Sequence, residues 1–225
     1  VAGAAASEQV LHTARHLFDL FKPGDRPDVE RLAQLLREIV DETHMIIKMN
    51  DVAHKTESLA SFAALVLSPH GDAVWGHVGD SRLYCFSGDT CVARTGDAQY
   101  VEHLVASEKL PPEAARSHRK SRLLVNLLGN SRKEPFVTIG SQCGLGPGDS
   151  FLLASDGLWH FFTDAELAAA TSSFTPRQAA EMLIDKAGER SQGKGGNCTM
   201  AIVKLMEPVQ PEPAGVRRAA GAASV

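Results

Sequence analysis

No surplus of basic residues marks this sequence: 23 Lys and Arg stand against 27 Asp and Glu, for a formal net charge of -4. A nucleic-acid binder is thereby disfavoured, because nothing is left over to neutralise a phosphate backbone. An anionic partner is still allowed, since a bound metal can supply the positive charge. There is no C-x-x-C pair among Cys85, Cys91, Cys143 and Cys198, which argues against structural zinc. Cys85 and Cys91 flank an expected hairpin, and two reduced thiols are expected there rather than a disulfide. No apolar run reaches transmembrane length. No basic segment followed by an apolar one marks a secretory signal. The sequence opens on Val1 rather than Met, so it is expected to start inside a longer protein.

What is present is ordinary for a folded domain. The 225 residues are 44% hydrophobic and 22% charged, enough for one sizeable core. Val10, Ala14, Leu17, Phe18 and Phe21 recur at helical spacing and predict an amphipathic helix over 4–22. A second helix is expected over about 28–49, with Asp28 as N-cap and Val29, Leu32, Leu36, Ile39 and Val40 as its buried stripe. Strand signals follow at Leu59–Ser68, Ala73–Val78, Leu83–Phe86 and Cys91–Arg94, joined by short turns that imply antiparallel pairing. Residues 99–128 read as short helical pieces. Phe136–Ser141, Ser150–Ser155 and Cys198–Leu205 read as strands. Thr163-Asp164-Ala165-Glu166 and Thr175-Pro176-Arg177-Gln178 are capping boxes that open helices. After Met206 the chain turns Pro-, Ala- and Gly-rich, and 207–225 is expected to be a disordered tail. The order is not a strict βαβ alternation, so the fold class is α+β, antiparallel sheet covered by helices.

Two acidic segments stand at strand ends. His77-Val78-Gly79-Asp80-Ser81-Arg82 puts Asp80 at a strand-to-strand corner. Ser150-Phe151-Leu152-Leu153-Ala154-Ser155-Asp156-Gly157 delivers Asp156 from an apolar strand, and the glycine after it lets the backbone turn sharply. Carboxylates that converge without matching lysines are costly unless a cation joins them, and Mg or Mn with oxygen ligands is the natural guest. Such ions acidify water and clamp phosphoryl oxygens. Other groups are set aside. His12 and His16 read as a solvated helix face. Trp75 and Trp159 read as core or rim aromatics. Ser81 reads as a turn hydrogen-bonder, and Gly193-Lys194-Gly195-Gly196 as a turn without phosphate-loop spacing.

Taken together, Val78-Gly79-Asp80-Ser81-Arg82, Ser155-Asp156-Gly157-Leu158-Trp159 and Gly196-Asn197-Cys198-Thr199 resemble the PPM-type, metal-dependent protein serine/threonine phosphatases in their bacterial form. Gly3-Ala4-Ala5-Ala6-Ser7 is similar to the end of that family's first metal motif. The resemblance covers about residues 1–206, a single phosphatase domain. It implies a four-layer αββα sandwich of two antiparallel sheets flanked by helices, here without its first strands. It also implies two core Mg or Mn ions, a third and weaker one, and a metal-activated water that attacks phosphorus directly. Asp156 matches the catalytic, core-metal aspartate, Asp80 the aspartate that shares the third metal with it, and Asp97 a flap residue near substrate entry. His118 matches a family histidine, read here as structural. The implied protein is a cytoplasmic monomer in signalling. It acts on phosphoserine and phosphothreonine proteins, with a cognate serine/threonine kinase as the implied partner and no nucleic acid or membrane involved.

Three departures from the family pattern stand out. The D-G-x-G-G segment is not in the sequence, and is expected just upstream of Val1, so the 225 residues alone are expected to turn over negligibly. The closing D-N-x-T motif has Gly196 in place of its aspartate, a degenerate metal position that should weaken metal binding. The flap reads Thr95-Gly96-Asp97-Ala98-Gln99 rather than T-x-D-H-S, and Ala60-Ser61-Phe62-Ala63-Ala64 replaces G-T-T. The alternative function is a non-catalytic module that binds a phosphoprotein or kinase partner.

Overall fold

The computed structural model describes residues 2–22, 28–96, 126–192 and 196–207. The expected flap and the helical pieces at 99–128, with Asp97 and His118, fall almost wholly outside them, as does the tail from 208 onward. In chain order the elements are α1 (Ala2–Leu20), α2 (Val29–His54), β1 (Phe62–Leu67), β2 (Ala73–Val78), β3 (Arg82–Ser87) and β4 (Thr90–Arg94). Then come β5 (Thr138–Gln142), β6 (Asp149–Ala154), α3 (Asp156–Trp159), α4 (Asp164–Ser173), α5 (Pro176–Ser191) and β7 (Met200–Lys204).

Local chemistry sets the helix ends. Asp28 caps α2 by accepting the Arg31 amide at 2.7 Å, and Lys55 closes that helix in the left-handed conformation, φ 53°. The helix runs five residues past the expected 49. Thr163 and Thr175 make reciprocal capping boxes with Glu166 and Gln178. Each such cap contributes about 1 kcal/mol. Val10, Ala14 and Leu17 of α1, with Phe21 just beyond its end, face the core, but Phe18 is 53% exposed. The buried stripe is narrower than its apolar spacing suggests, because only one side of α1 packs against α2.

The strands form two antiparallel sheets, ordered β1-β2-β5 and β4-β3-β6-β7. Alternation along each strand sorts side chains into three apolar layers. Val74 and Val78 of β2 pack with Leu36, Ile39 and Val40 of α2 in one core, while Ala73 and Trp75 turn the other way, to meet Leu83, Cys85 and Phe151 between the sheets. Trp75 and Phe151 touch across that gap, with ring centroids 6.3 Å apart. On the far side, Tyr84, Phe86 and Leu152 pack with Leu158, Leu167 and Leu183 of the helices. The result is the αββα sandwich. Each fully buried Leu or Phe in these layers contributes about 1.5–3 kcal/mol. Cys85 and Cys91 are free thiols, and burial pushes Cys85 up to about 11.

A loop at 126–136 is tied to the sheet rim by several independent contacts. Leu128 exchanges two backbone hydrogen bonds with Ala60. The Asn126 amide closes the loop by bonding both the amide and the carbonyl of Phe136. The buried His44 accepts the Gly129 amide on Nδ1 at 3.0 Å, and its Nε2 faces the Glu134 carboxylate at 3.1 Å. Gly129 has φ +81°, and a Cβ there would collide with the Ser58 carbonyl oxygen. Gly129→Ala is therefore expected to cost about 3 kcal/mol or more in urea unfolding, through both strain and collision.

Burial, only partly offset by Glu134, holds the His44 pKa below its ordinary value of 6.5. The neutral ring is the folded form, and its stabilisation is complete above that ordinary value. It erodes as pH falls below it, because the unfolded chain then binds the proton more readily. Stability measured from pH 7 to pH 5 should fall less in His44→Gln, which retains an acceptor for Gly129, than in the parent.

Candidate metal centre

The site is assembled by strand register. In the antiparallel pair β3–β6, Arg82 lies opposite Ala154. Asp80 stands two residues before Arg82 and Asp156 two residues after Ala154, so both corners emerge at the same end of the sheet. On the other side of β6, Ala154 lies opposite Met200, which brings the segment 196–199 to that end as well. The three segments singled out in the sequence are thus neighbours, though they lie far apart along the chain.

Ser155 stitches two of them together. Its amide donates to the Thr199 carbonyl at 3.0 Å, its hydroxyl accepts the Thr199 amide at 3.0 Å, and the hydroxyl donates to the Asn197 carbonyl at 3.3 Å. The close approach depends on the glycine beside it, since a Cβ at Gly157 would collide with the Asn197 carbonyl oxygen. Trp159 joins the third segment. It sits one turn beyond Asp156 on α3, and its indole Nε1 donates to the Asp80 carbonyl at 2.9 Å. The Arg82 guanidinium lies over that indole, 3.4 Å from the ring centroid. Ser81, expected to bond within its own turn, instead pairs with Ser61 at 3.0 Å.

Asp156 is exposed at the N-terminus of α3, where its carboxylate accepts the Gly157 amide at 2.8 Å. Asp80 is half-buried. Among the described residues, no lysine or arginine forms an ion pair with either carboxylate. Hard oxygen donors without a cationic partner suit Mg or Mn, which keep several waters and need only one or two carboxylates. The donor set fits a hydrated site of that kind. It does not amount to a dense one: among the described residues no three His, Cys, Asp or Glu side chains gather where a metal could be held. Gly196 is exposed, and a Cβ there would have no heavy atom within 4 Å. Space for a side chain exists where the sequence supplies none.

Sequence reasoning found the acidic residues but missed what orients them. Trp159 reads as a rim aromatic from sequence, and Ser155 carries no signal beyond preceding Asp156. Their partners are backbone groups of distant segments, invisible to spacing. The only available hint is that Trp159 lies three residues after Asp156, on the same turn of helix.

No family model matches the sequence. The curated serine/threonine protein phosphatase PstP of Mycobacterium tuberculosis is 27% identical over 206 residues, which is 92% of this chain and 38% of that protein. Protein phosphatase PhpP of Streptococcus pneumoniae is 29% identical over 136 residues, 60% of this chain and 54% of that protein. The chain therefore spans well under two thirds of the length of these relatives. Among solved structures, the catalytic domain of PstP in complex with two manganese ions superposes with a TM-score of 0.66 at 25% identity, covering 92% of this chain and 83% of the other. The serine/threonine phosphatase of S. agalactiae shares the fold, with a TM-score of 0.69 at 23% identity over 91% of this chain and 82% of that one. Relatives of one kind, met on a sandwich whose corner segments converge at a single end, lead to one conclusion: the chain is similar in sequence to bacterial protein serine/threonine phosphatases and shares the fold of their solved PPM-type structures.

Proposed function

We propose that the protein removes phosphate from phosphoserine and phosphothreonine side chains of other proteins in a divalent-metal-dependent reaction. The observation that carries this reading is the delivery of Asp80 and Asp156 to adjacent corners with no lysine or arginine ion-paired to either among the described residues. Two uncompensated carboxylates repel a phosphate monoester, so a substrate of that class needs an intervening cation. Mg or Mn, when bound, supplies that positive charge and the acidity of a nearby water, which is the basis for direct hydrolysis without a phosphoenzyme. Two core ions and a third are the expected complement, in line with the two manganese ions of the PstP structure.

The chain's own residues have distinct parts in this scheme. Asp156 would be the principal carboxylate holding the metal beside the reacting group, and Asp80 would help to hold a further ion with it. Ser155 and Trp159 keep the three segments in register. Asp97 is assigned to the substrate-entry flap. Action on soluble phosphoproteins as a cytoplasmic monomer, opposite a serine/threonine kinase, completes the reading. Among the described residues, no helix is long and apolar enough to cross a membrane.

One observation favours a second reading. With Gly196 at the third corner, metal affinity is lower than a full carboxylate set would give, which suits a module that binds a phosphoprotein or kinase without turnover. A phosphothreonine peptide separates the two. Hydrolysis by the intact protein should require Mn and fall at least about 100-fold in Asp156→Ala. Peptide binding with no phosphate release, at any Mn concentration, would establish the binding module instead. Gly196→Asp should tighten Mn binding about tenfold by adding a charged oxygen ligand. Unchanged affinity in that variant would show that residue 196 does not face the metal.

A further inference from the structure

We propose that Trp159 is a positioning residue that fixes Asp80 relative to Asp156, so that the two carboxylates can serve one cation site. The inference rests on the metal-dependent reading of those aspartates and extends it to a residue outside the ligand set. Asp80 lies at the turn between β2 and β3, while Asp156 begins the one-turn helix α3. Strand register brings these corners to the same end of the sandwich, but it does not by itself set the orientation of a turn lying beyond the last strand pair. The Trp159 indole makes that connection. It is anchored to the same short helix as Asp156, and its N–H holds the carbonyl of Asp80 itself at 2.9 Å.

The indole is also prevented from rotating away. Arg82, two residues after Asp80, covers the ring at 3.4 Å, and His160 packs against it with ring centroids 3.8 Å apart. Tyr84, two residues further along β3 and so on the same face as Arg82, is buried in the core beneath the helices. The hydrogen bond from Trp159 to Asp80 and the stacking of Arg82 on Trp159 form a closed bracket between the two corners, backed by the core. A partner of this kind, one step removed from a metal ligand, commonly changes metal affinity by 10–100-fold when it is removed.

Metal binding in the 225-residue chain tests the proposal without reference to turnover. Mn affinity is measured by calorimetry for the parent, Asp156→Ala, Trp159→Phe and Trp75→Phe, beside the unfolding midpoint of each. Trp159→Phe retains a ring for Arg82 but removes the N–H donor, and Trp75→Phe controls for general loss of a buried indole. The expected result is Mn affinity about tenfold weaker in Trp159→Phe and unchanged in Trp75→Phe. Loss of stability in Trp159→Phe with unaltered Mn affinity would overturn the positioning role. Mn binding by the parent that Asp156→Ala leaves intact would overturn the metal reading itself, a separate failure.

A second measurement covers the case in which Trp159→Phe does not fold. In the parent, the Trp159 indole resonance in 1H–15N spectra should shift during Mg titration with the midpoint of Asp156-dependent binding, while that of Trp75 stays in place. An indole resonance unmoved by saturating Mg would contradict the proposal.

Discussion

The pairing of β6 with β3 on one side and β7 on the other is the constraint from which the site follows. Six residue pairs join β3 to β6, and five join β6 to β7, both antiparallel. In this arrangement, whatever precedes β3, follows β6 and precedes β7 must emerge at one end of the sheet. Asp80, Asp156 and Gly196 occupy those three places. The register cannot slip by one residue without moving Leu152 from the helix-facing layer to the inter-sheet layer, and Phe151 the other way. Burial of these two side chains therefore protects the geometry of a site that neither of them touches.

The second level of organisation is polar and local. Ser155 binds the 197–199 segment through three hydrogen bonds, and Trp159 binds the Asp80 turn through one. Such bonds contribute only about 1 kcal/mol each to stability. The larger effect proposed for them is on direction, because a carboxylate displaced from its place could not share an ion with its neighbour. The cores supply the stability, and this small set of bonds supplies the aim of the side chains. The two roles fall on different residues, so a variant can lose metal affinity while it keeps its fold.

Much of the fold was legible in the sequence because its signals are short-range. Asp28, Thr163 and Thr175 cap helices where the spacing placed them, and β2 to β4 lie within a residue or two of their expected bounds. The exposure of Phe18 was not legible, since periodicity marks the centre of a helix face and not its width. The acidic corners could be read as candidates because an aspartate after an apolar strand is a local pattern. The roles of Trp159 and Ser155 could not, as their partners lie 79 and 42–44 residues away and are backbone groups. Nothing in the identity of a residue reports which distant carbonyl it will meet. Gly196 is the converse case: the sequence shows a side chain missing from a motif, and the structure shows open space beside it.

The central claim is that Asp80 and Asp156 share a divalent cation at the end of the sandwich. Anomalous diffraction at the manganese edge, from crystals of the protein soaked in Mn, tests it most directly. The account predicts an anomalous peak within coordinating distance of the Asp156 carboxylate and facing Asp80, and no such peak in Asp156→Ala crystals. Manganese bound elsewhere, with the space between these two aspartates empty at saturating concentration, would contradict it.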